Sequence, residues 1–224
     1  AYAPYQETTE DANGKVKVFG KTDYAFSVKE DQSNAEDYSS DLIVYKQTGF
    51  KPGTELNTSK AVDVTFTHLL SQLNLTIELR DQFNQDEKKP VTSATVTDVK
   101  VDGTFIRSKV NFAADPISVQ IGGTQVPKAI TPETVAFTKA DKTTDHATFK
   151  YSAIVIPQWI RAGVFCISFK VNGNDYIWTS TSDVNFVSGK KHDLHLLVGK
   201  DVVQGGAISA KPWGEETITE KETD

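Results

Sequence analysis

Leu73-Asn74-Leu75-Thr76-Ile77-Glu78-Leu79 decides the fold class. Large apolar residues fall on every second position and polar residues lie between them. Successive side chains of a β-strand point to opposite faces, so this stretch reads as a strand with one buried and one wet face. The same alternation returns in Phe165-Cys166-Ile167-Ser168-Phe169-Lys170-Val171 and in Leu194, Leu196 and Val198. Residues 152–156 are apolar at nearly every position, which suits a central strand covered on both sides.

Turn signals punctuate these runs. Asn172-Gly173 separates 165–171 from 176–181, and this pair tolerates the positive φ angles of a tight hairpin. Gly122-Gly123, between 117–121 and Thr124-Gln125-Val126, predicts a second hairpin. Asp102-Gly103 predicts a turn from 95–101 into 105–112. Phe66, Leu69, Leu70, Leu73 and Ile77 fit a helical stripe, so a helical turn or bulge is expected at 68–72, leading into the strand. Frequent Thr and Val, regular turns and scarce helical patterns read as a β-sandwich. Loops are expected at 30–40, 48–60 and 81–90. The second is rich in Gly, Pro, Asn, Thr and Ser and marks a domain boundary. Residues 214–224 are acidic, almost without apolar side chains, and read as a solvated, mobile tail.

Composition narrows the function. The chain has 224 residues, 38% of them hydrophobic, which is enough for a packed core. Its net charge of -6 repels phosphate backbones and anionic head groups, so nucleic acid is excluded as a general partner. Cys166 is the single cysteine, so no intrachain disulfide forms, and its mid-strand position suggests a small buried thiol. No apolar stretch approaches the length of a membrane span. The start Ala1-Tyr2-Ala3-Pro4-Tyr5 lacks an initiator Met and opens in a strand-like run, as if an export segment had been removed.

No catalytic constellation is legible. There is no Gly-x-Ser-x-Gly elbow, no phosphate-cradling Gly-Lys-Ser/Thr loop and no dinucleotide fingerprint. His192 and His195 lie three apart on an expected strand, so their rings diverge rather than chelate, and both are read as surface residues. His68 is read as a buried, hydrogen-bonded histidine. Asp31, Glu36, Asp37 and Asp41 lack the spacing of a calcium loop. Asp31, Gln32, Ser33 and Asn34 suit capping of neighbouring backbone groups instead. No catalytic residue, cofactor or metal ligand is therefore assigned. Trp178 is expected to be partly core. Trp159 and Trp213 are the candidates for contact with a ligand or partner, as aromatic platforms at strand ends.

Six segments in order resemble the fimbrillin superfamily of Bacteroidetes-type bacteria. They are Ala1-Tyr2-Ala3-Pro4-Tyr5; Asp31-Gln32-Ser33 followed by Ser40-Asp41-Leu42-Ile43; Val64-Thr65-Phe66-Thr67-His68-Leu69-Leu70-Ser71-Gln72-Leu73; Ile154-Val155-Ile156-Pro157-Gln158 with Ala162-Gly163; Phe186-Val187-Ser188-Gly189-Lys190-Lys191-His192; and Ile208-Ser209-Ala210-Lys211-Pro212-Trp213. The resemblance implies an all-β protein of two tandem β-sandwich domains, Greek-key and transthyretin-like. Residues 1–60 would be what remains of the first domain, 61–213 the second and 214–224 the tail. It implies a non-enzymatic lipoprotein exported to the outer-membrane surface or fimbrium, with membrane contact only through a lipid anchor on the precursor. Its partners would be other pilus subunits, joined by strand addition, and a host or bacterial surface glycan or protein. Family members carry a segment before the Tyr-x-Pro-Tyr strand, so the chain reads as a proteolysed or truncated form. After Trp213 only Ile218 is a large apolar residue, short of the alternation a donor strand needs. That favours a tip, adhesin-like or non-polymerising member. The other reading is a glycan-binding surface module that does not polymerise.

Overall fold

The computed structural model describes residues 2–4, 22–49, 51, 62, 64–83, 90–140 and 146–213. Every regular element among them is a β-strand, apart from two short 3-10 turns at Tyr38–Ser40 and Asp81–Phe83. Ser71–Leu79 buries each odd-numbered residue and leaves each even-numbered one half-buried, as the alternation requires. It lies at the middle of the main sheet. Ala147–Val155 flanks it antiparallel on one side and Lys190–Val198 parallel on the other. Glu133–Thr138 closes one edge of this sheet. Val203–Gly205 and Ser209–Pro212 both pair with Lys190–Val198 and form the other edge, with a shift of register between them.

The second sheet runs in the order Asn174–Thr179, Cys166–Val171, Val96–Thr104, Lys128–Ile130. Its Ile167, Phe169, Val171, Val101 and Ile130 belong to the same continuous core as Leu73, Leu75, Ile77, Leu194 and Leu196. Removing these side chains from water is the main stabilising term, at roughly 1.5–3 kcal/mol for each fully buried large residue. The Asn172-Gly173 hairpin forms as expected. Its φ values are 51° and 82°, and Val171 pairs with Asn174 across the turn.

Two expected turns are corrected. Val96–Thr104 runs straight through Asp102-Gly103, where Gly103 (φ 83°) sits in a bulge rather than a hairpin. Ser118–Ile121 pairs backward onto Arg107–Asn111, and Gly122 N–H extends that ladder by donating to Arg107 O (2.9 Å). The chain then leaves for Lys128–Ile130 in the other sheet, so Gly122-Gly123 joins two sheets rather than two paired strands. A Gly pair reports a permissive backbone, not which neighbour the chain meets next. The turn that exists spans 112–117, where Asn111 Oδ1 accepts from the N–H groups of Ala113 (3.0 Å) and Ala114 (3.1 Å).

The chain also makes no helical turn at 68–72. Thr67–His68 belongs to a small sheet with Ile43–Val44 and Tyr2–Ala3. Leu69 and Leu70 are both buried at the step from that sheet into Ser71–Leu79, which imitates helical spacing.

Described residues near the N-terminus are tied to strands far along the chain. Tyr24–Ser27 pairs with Arg107–Asn111. Phe26, Val28, Leu42 and Val44 enter the common core. Gln32 acts as a short surrogate strand: its Oε1 accepts from Ile154 N–H (2.7 Å) and its Nε2 donates to Ile154 O (2.9 Å). Glu133–Thr138 reaches only to Ser152 on that side of Ala147–Val155, so the amide of Gln32 satisfies backbone groups left beyond its end. Of the three expected loops, one falls wholly within the described residues. Residues 30–40 loop around the Tyr38–Ser40 turn, whereas most of 48–60 and 84–89, and the whole tail 214–224, lie outside the described residues.

Candidate functional site

The open edges of the two large sheets approach each other on one side of the sandwich. Trp178, on Asn174–Thr179, sets its ring edge-on to Phe165 (centroids 6.3 Å apart, 80° between planes). It also lies over Gly205 of the facing edge so closely that a Cβ there would collide with the indole. Beside this contact a groove of about 690 Å³ opens. One wall is Trp178 and the loop after it, the other is the edge strand around Gly205 and Ala207, and His192 forms part of the floor.

His192 is not the surface residue expected. It is only 1% exposed, and its ring meets Phe186 edge-on at 5.1 Å. Its parity matches Leu194, Leu196 and Val198, the signal that would have placed it inside. Nε2 accepts the Val187 N–H (3.0 Å). Burial pushes the imidazole pKa below its usual value, partly opposed by that hydrogen bond and by Asp193. His195 does point the other way, as expected of a residue three along. Its Nε2 lies 2.7 Å from Glu78 Oε2, and the other oxygen of Glu78 meets His146 Nδ1. Among the described residues, no three His, Cys, Asp or Glu side chains converge so as to hold a metal ion.

His68 is hydrogen-bonded as expected but half-buried rather than buried. Its Nδ1 lies 2.9 Å from Asp41, and its ring is stacked on Trp213 (3.9 Å, 2°). The Trp213 N–H donates to Gly189 O (3.1 Å). Trp213 thus pins the end of the Ser209–Pro212 edge to the small N-terminal sheet. Trp159 sits elsewhere, on the Gln158–Ile160 ribbon that pairs with Val184–Phe186. It is 54% exposed, with the Arg161 guanidinium 5.9 Å from its ring centroid. The structure does not bring the two tryptophans together. Trp178, as expected, is partly core.

Cys166 is half-buried rather than buried, because it lies on the outer face opposite Ile167. Burial and the nearby Asp102 push its pKa up, so it stays a thiol. In the acidic loop the carboxylates cap backbone. Asp31 Oδ1 accepts Ser33 N–H (3.0 Å), and Asp37 Oδ1 accepts Ser39 N–H (3.0 Å). Hydrogen bonds from Lys29 and Ser39 lower the Asp37 pKa to about 2. Burial and a neighbouring Tyr2 raise Tyr24 to about 12, in an aromatic cluster completed by Phe112.

The fimbrillin-like family model matches residues 1–213. The fold is similar to that of a putative cell adhesion protein from Bacteroides uniformis ATCC 8492 (21% identity, TM-score 0.59, covering 95% of this chain and 70% of that one). A putative cell adhesion protein from Bacteroides ovatus ATCC 8483 gives 14% identity, TM-score 0.63 and coverage of 96% and 67%. A fimbrial protein from Bacteroides vulgatus ATCC 8482 gives 16% identity, TM-score 0.52 and coverage of 95% and 76%. Among curated proteins, none matches this chain.

Proposed function

Because the chain belongs to the fimbrillin-like family over residues 1–213, we propose that it is a non-catalytic fimbrial subunit or adhesin, displayed at the outer-membrane surface and joined to other pilus components by strand addition. The family match along almost the whole chain carries the fimbrial or adhesive role, and the all-β fold agrees with it. Strand addition draws support from a different observation. Val62, Val64 and Phe66 are 40%, 43% and 42% exposed and lead into the short edge strand Thr67–His68. Exposed apolar residues at every second position, next to an edge strand, are what an added strand would bury, while its backbone gains ladder hydrogen bonds. Trp159, exposed beside Arg161, is retained as a contact for a surface glycan or protein.

The test is made on cells of the source bacterium. Antibody labelling of intact cells should find the protein outside, and recovery from the soluble cytoplasm alone would sink the reading. Surface material run unheated on a denaturing gel should give a ladder of multimers that Phe66→Asp removes. A single monomer band, with no filaments under the electron microscope, would reject strand addition and leave the adhesin part standing.

A further inference from the structure

The groove beside Trp178 carries an inference that goes beyond assembly. Its floor holds an unused hydrogen-bond donor. His192 Nε2 accepts from Val187, so in the neutral ring the proton is on Nδ1. No described residue accepts from that Nδ1–H. The fully enclosed polar side-chain atoms without a partner, among the described residues, are Ser39 Oγ and Gln72 Oε1. His192 Nδ1 is therefore unpartnered but reachable, although its residue is 99% buried, and the ring borders the groove. A donor held at the base of a concave site, by a ring whose other nitrogen is fixed, is preorganised for an acceptor.

The rim has matching chemistry. Ser180 Oγ donates to Ser182 O (2.6 Å), and Asp183 Oδ1 accepts from Ala162 N–H (2.9 Å), so the loop is fixed by its own bonds. The side chains of Thr181, Ser182 and Asn185 make no hydrogen bond to described residues and remain available on the lining. No Lys or Arg lines the groove, so nothing there would neutralise a phosphate, sulfate or carboxylate. Trp178 adds an indole to the lining. An occupant should thus be uncharged, rich in hydroxyls, and apolar on one side.

We propose that this groove binds a short neutral saccharide, with His192 Nδ1–H donating to a sugar oxygen, Thr181, Ser182 and Asn185 bonding the hydroxyls, and Trp178 covering an apolar ring face. A groove of this size is in the range that takes small ligands. The site involves neither Trp159 nor Trp213, and it does not depend on strand addition.

The experiment titrates the intact chain, as monomer, with a panel of neutral di- to tetrasaccharides: lactose, N-acetyllactosamine, cellobiose, maltotriose and mannotriose. Tryptophan fluorescence and isothermal calorimetry are read together. At least one sugar should bind saturably, and the fluorescence change should vanish in Trp178→Phe. The double change Thr181→Ala/Asn185→Ala should weaken binding roughly tenfold, the loss expected for two neutral hydrogen bonds, at unchanged Tm. Ala207→Trp, which plugs the groove from its exposed wall, should abolish binding while the far-ultraviolet spectrum stays native. Absence of saturable binding up to about 10 mM overturns the proposal. So does binding that survives the plug, tighter binding of sialyllactose than of lactose, or displacement of the sugar by an extended Thr-Val peptide. None of these results touches the fimbrial reading, which is decided on cells.

Discussion

Gly103→Ala tests the bulge within the second sheet, where Val96–Thr104 meets the start of its neighbour Cys166–Val171. Gly103 has φ 83°, and a Cβ built there would stand 2.9 Å from the Val164 carbonyl carbon, 3.1 Å from Phe165 Cα, and closer still to Val164 O. All three are backbone atoms, and Phe165 is fully buried against Phe186 and Trp178, so the neighbour has little room to retreat. A left-handed conformation costs an L-residue about 1–2 kcal/mol. Forcing extra volume into a packed site costs about 1–3 kcal/mol more. The sum, about 2–5 kcal/mol, is a large share of a stability on the order of 5–15 kcal/mol. Gly163→Ala is the control: its φ is 81°, but its Cβ would meet nothing within 4 Å. It should therefore lose only the conformational part, about 1–2 kcal/mol. Urea unfolding should show a lower midpoint at constant slope for both, and Tm should fall by roughly 2–4 °C per kcal/mol. If the two variants lose the same stability, the close approach of Val96–Thr104 to residues 164–165 is wrong.

Other consequences follow from single contacts. Gln32→Ala should cost about 1–3 kcal/mol, because it strands both backbone groups of Ile154, and Gln32→Glu should not rescue it, since the carboxylate accepts but cannot donate; equal stability of Gln32→Glu and wild type would refute the surrogate-strand role. Trp213→Ala should lower hydrogen-exchange protection in Ser209–Pro212 and its partner segment 190–193, with a loss of about 0.5–1.5 kcal/mol from the stacked pair; unchanged protection there would show that the stack on His68 pins nothing. For His192, burial lowers the folded pKa below the usual 6.5. The unfolded chain therefore takes up the proton first, so this contribution is complete above about pH 6.5 and is lost as pH falls below it. His192→Gln should flatten that part of the stability profile, and an unchanged slope would contradict a buried, neutral His192.

Some of this protein is written locally. The alternation of Leu73 to Leu79 places its own strand and its own buried face, because strand side chains alternate whatever lies beyond them. Asn172-Gly173 specifies its hairpin because the turn needs two positive φ angles, and both residues tolerate them. The capping by Asp31 and Asn34 was legible for the same reason: the N–H groups of Ser33 and Glu36 that they accept lie two residues away. Those features, and the ordered segments that resemble the fimbrillins, belong to the sequence by itself.

What only the tertiary structure decided is which distant groups meet. Gly103 read as a turn and Gly122-Gly123 as a hairpin because a permissive backbone is local information, whereas the sheet that receives the chain is chosen by packing over tens of residues. Leu69 and Leu70 imitate a helix because two sheets meet there, and no periodicity encodes a step between sheets. His68 acquired Asp41 and Trp213, and the groove acquired His192 as its floor beneath Trp178, Gly205 and the loop after Thr179, through pairings that bring together residues far apart in the chain. Hydrophobic burial is non-directional and selects those pairings collectively, so the strands were legible one by one while the site they build was not.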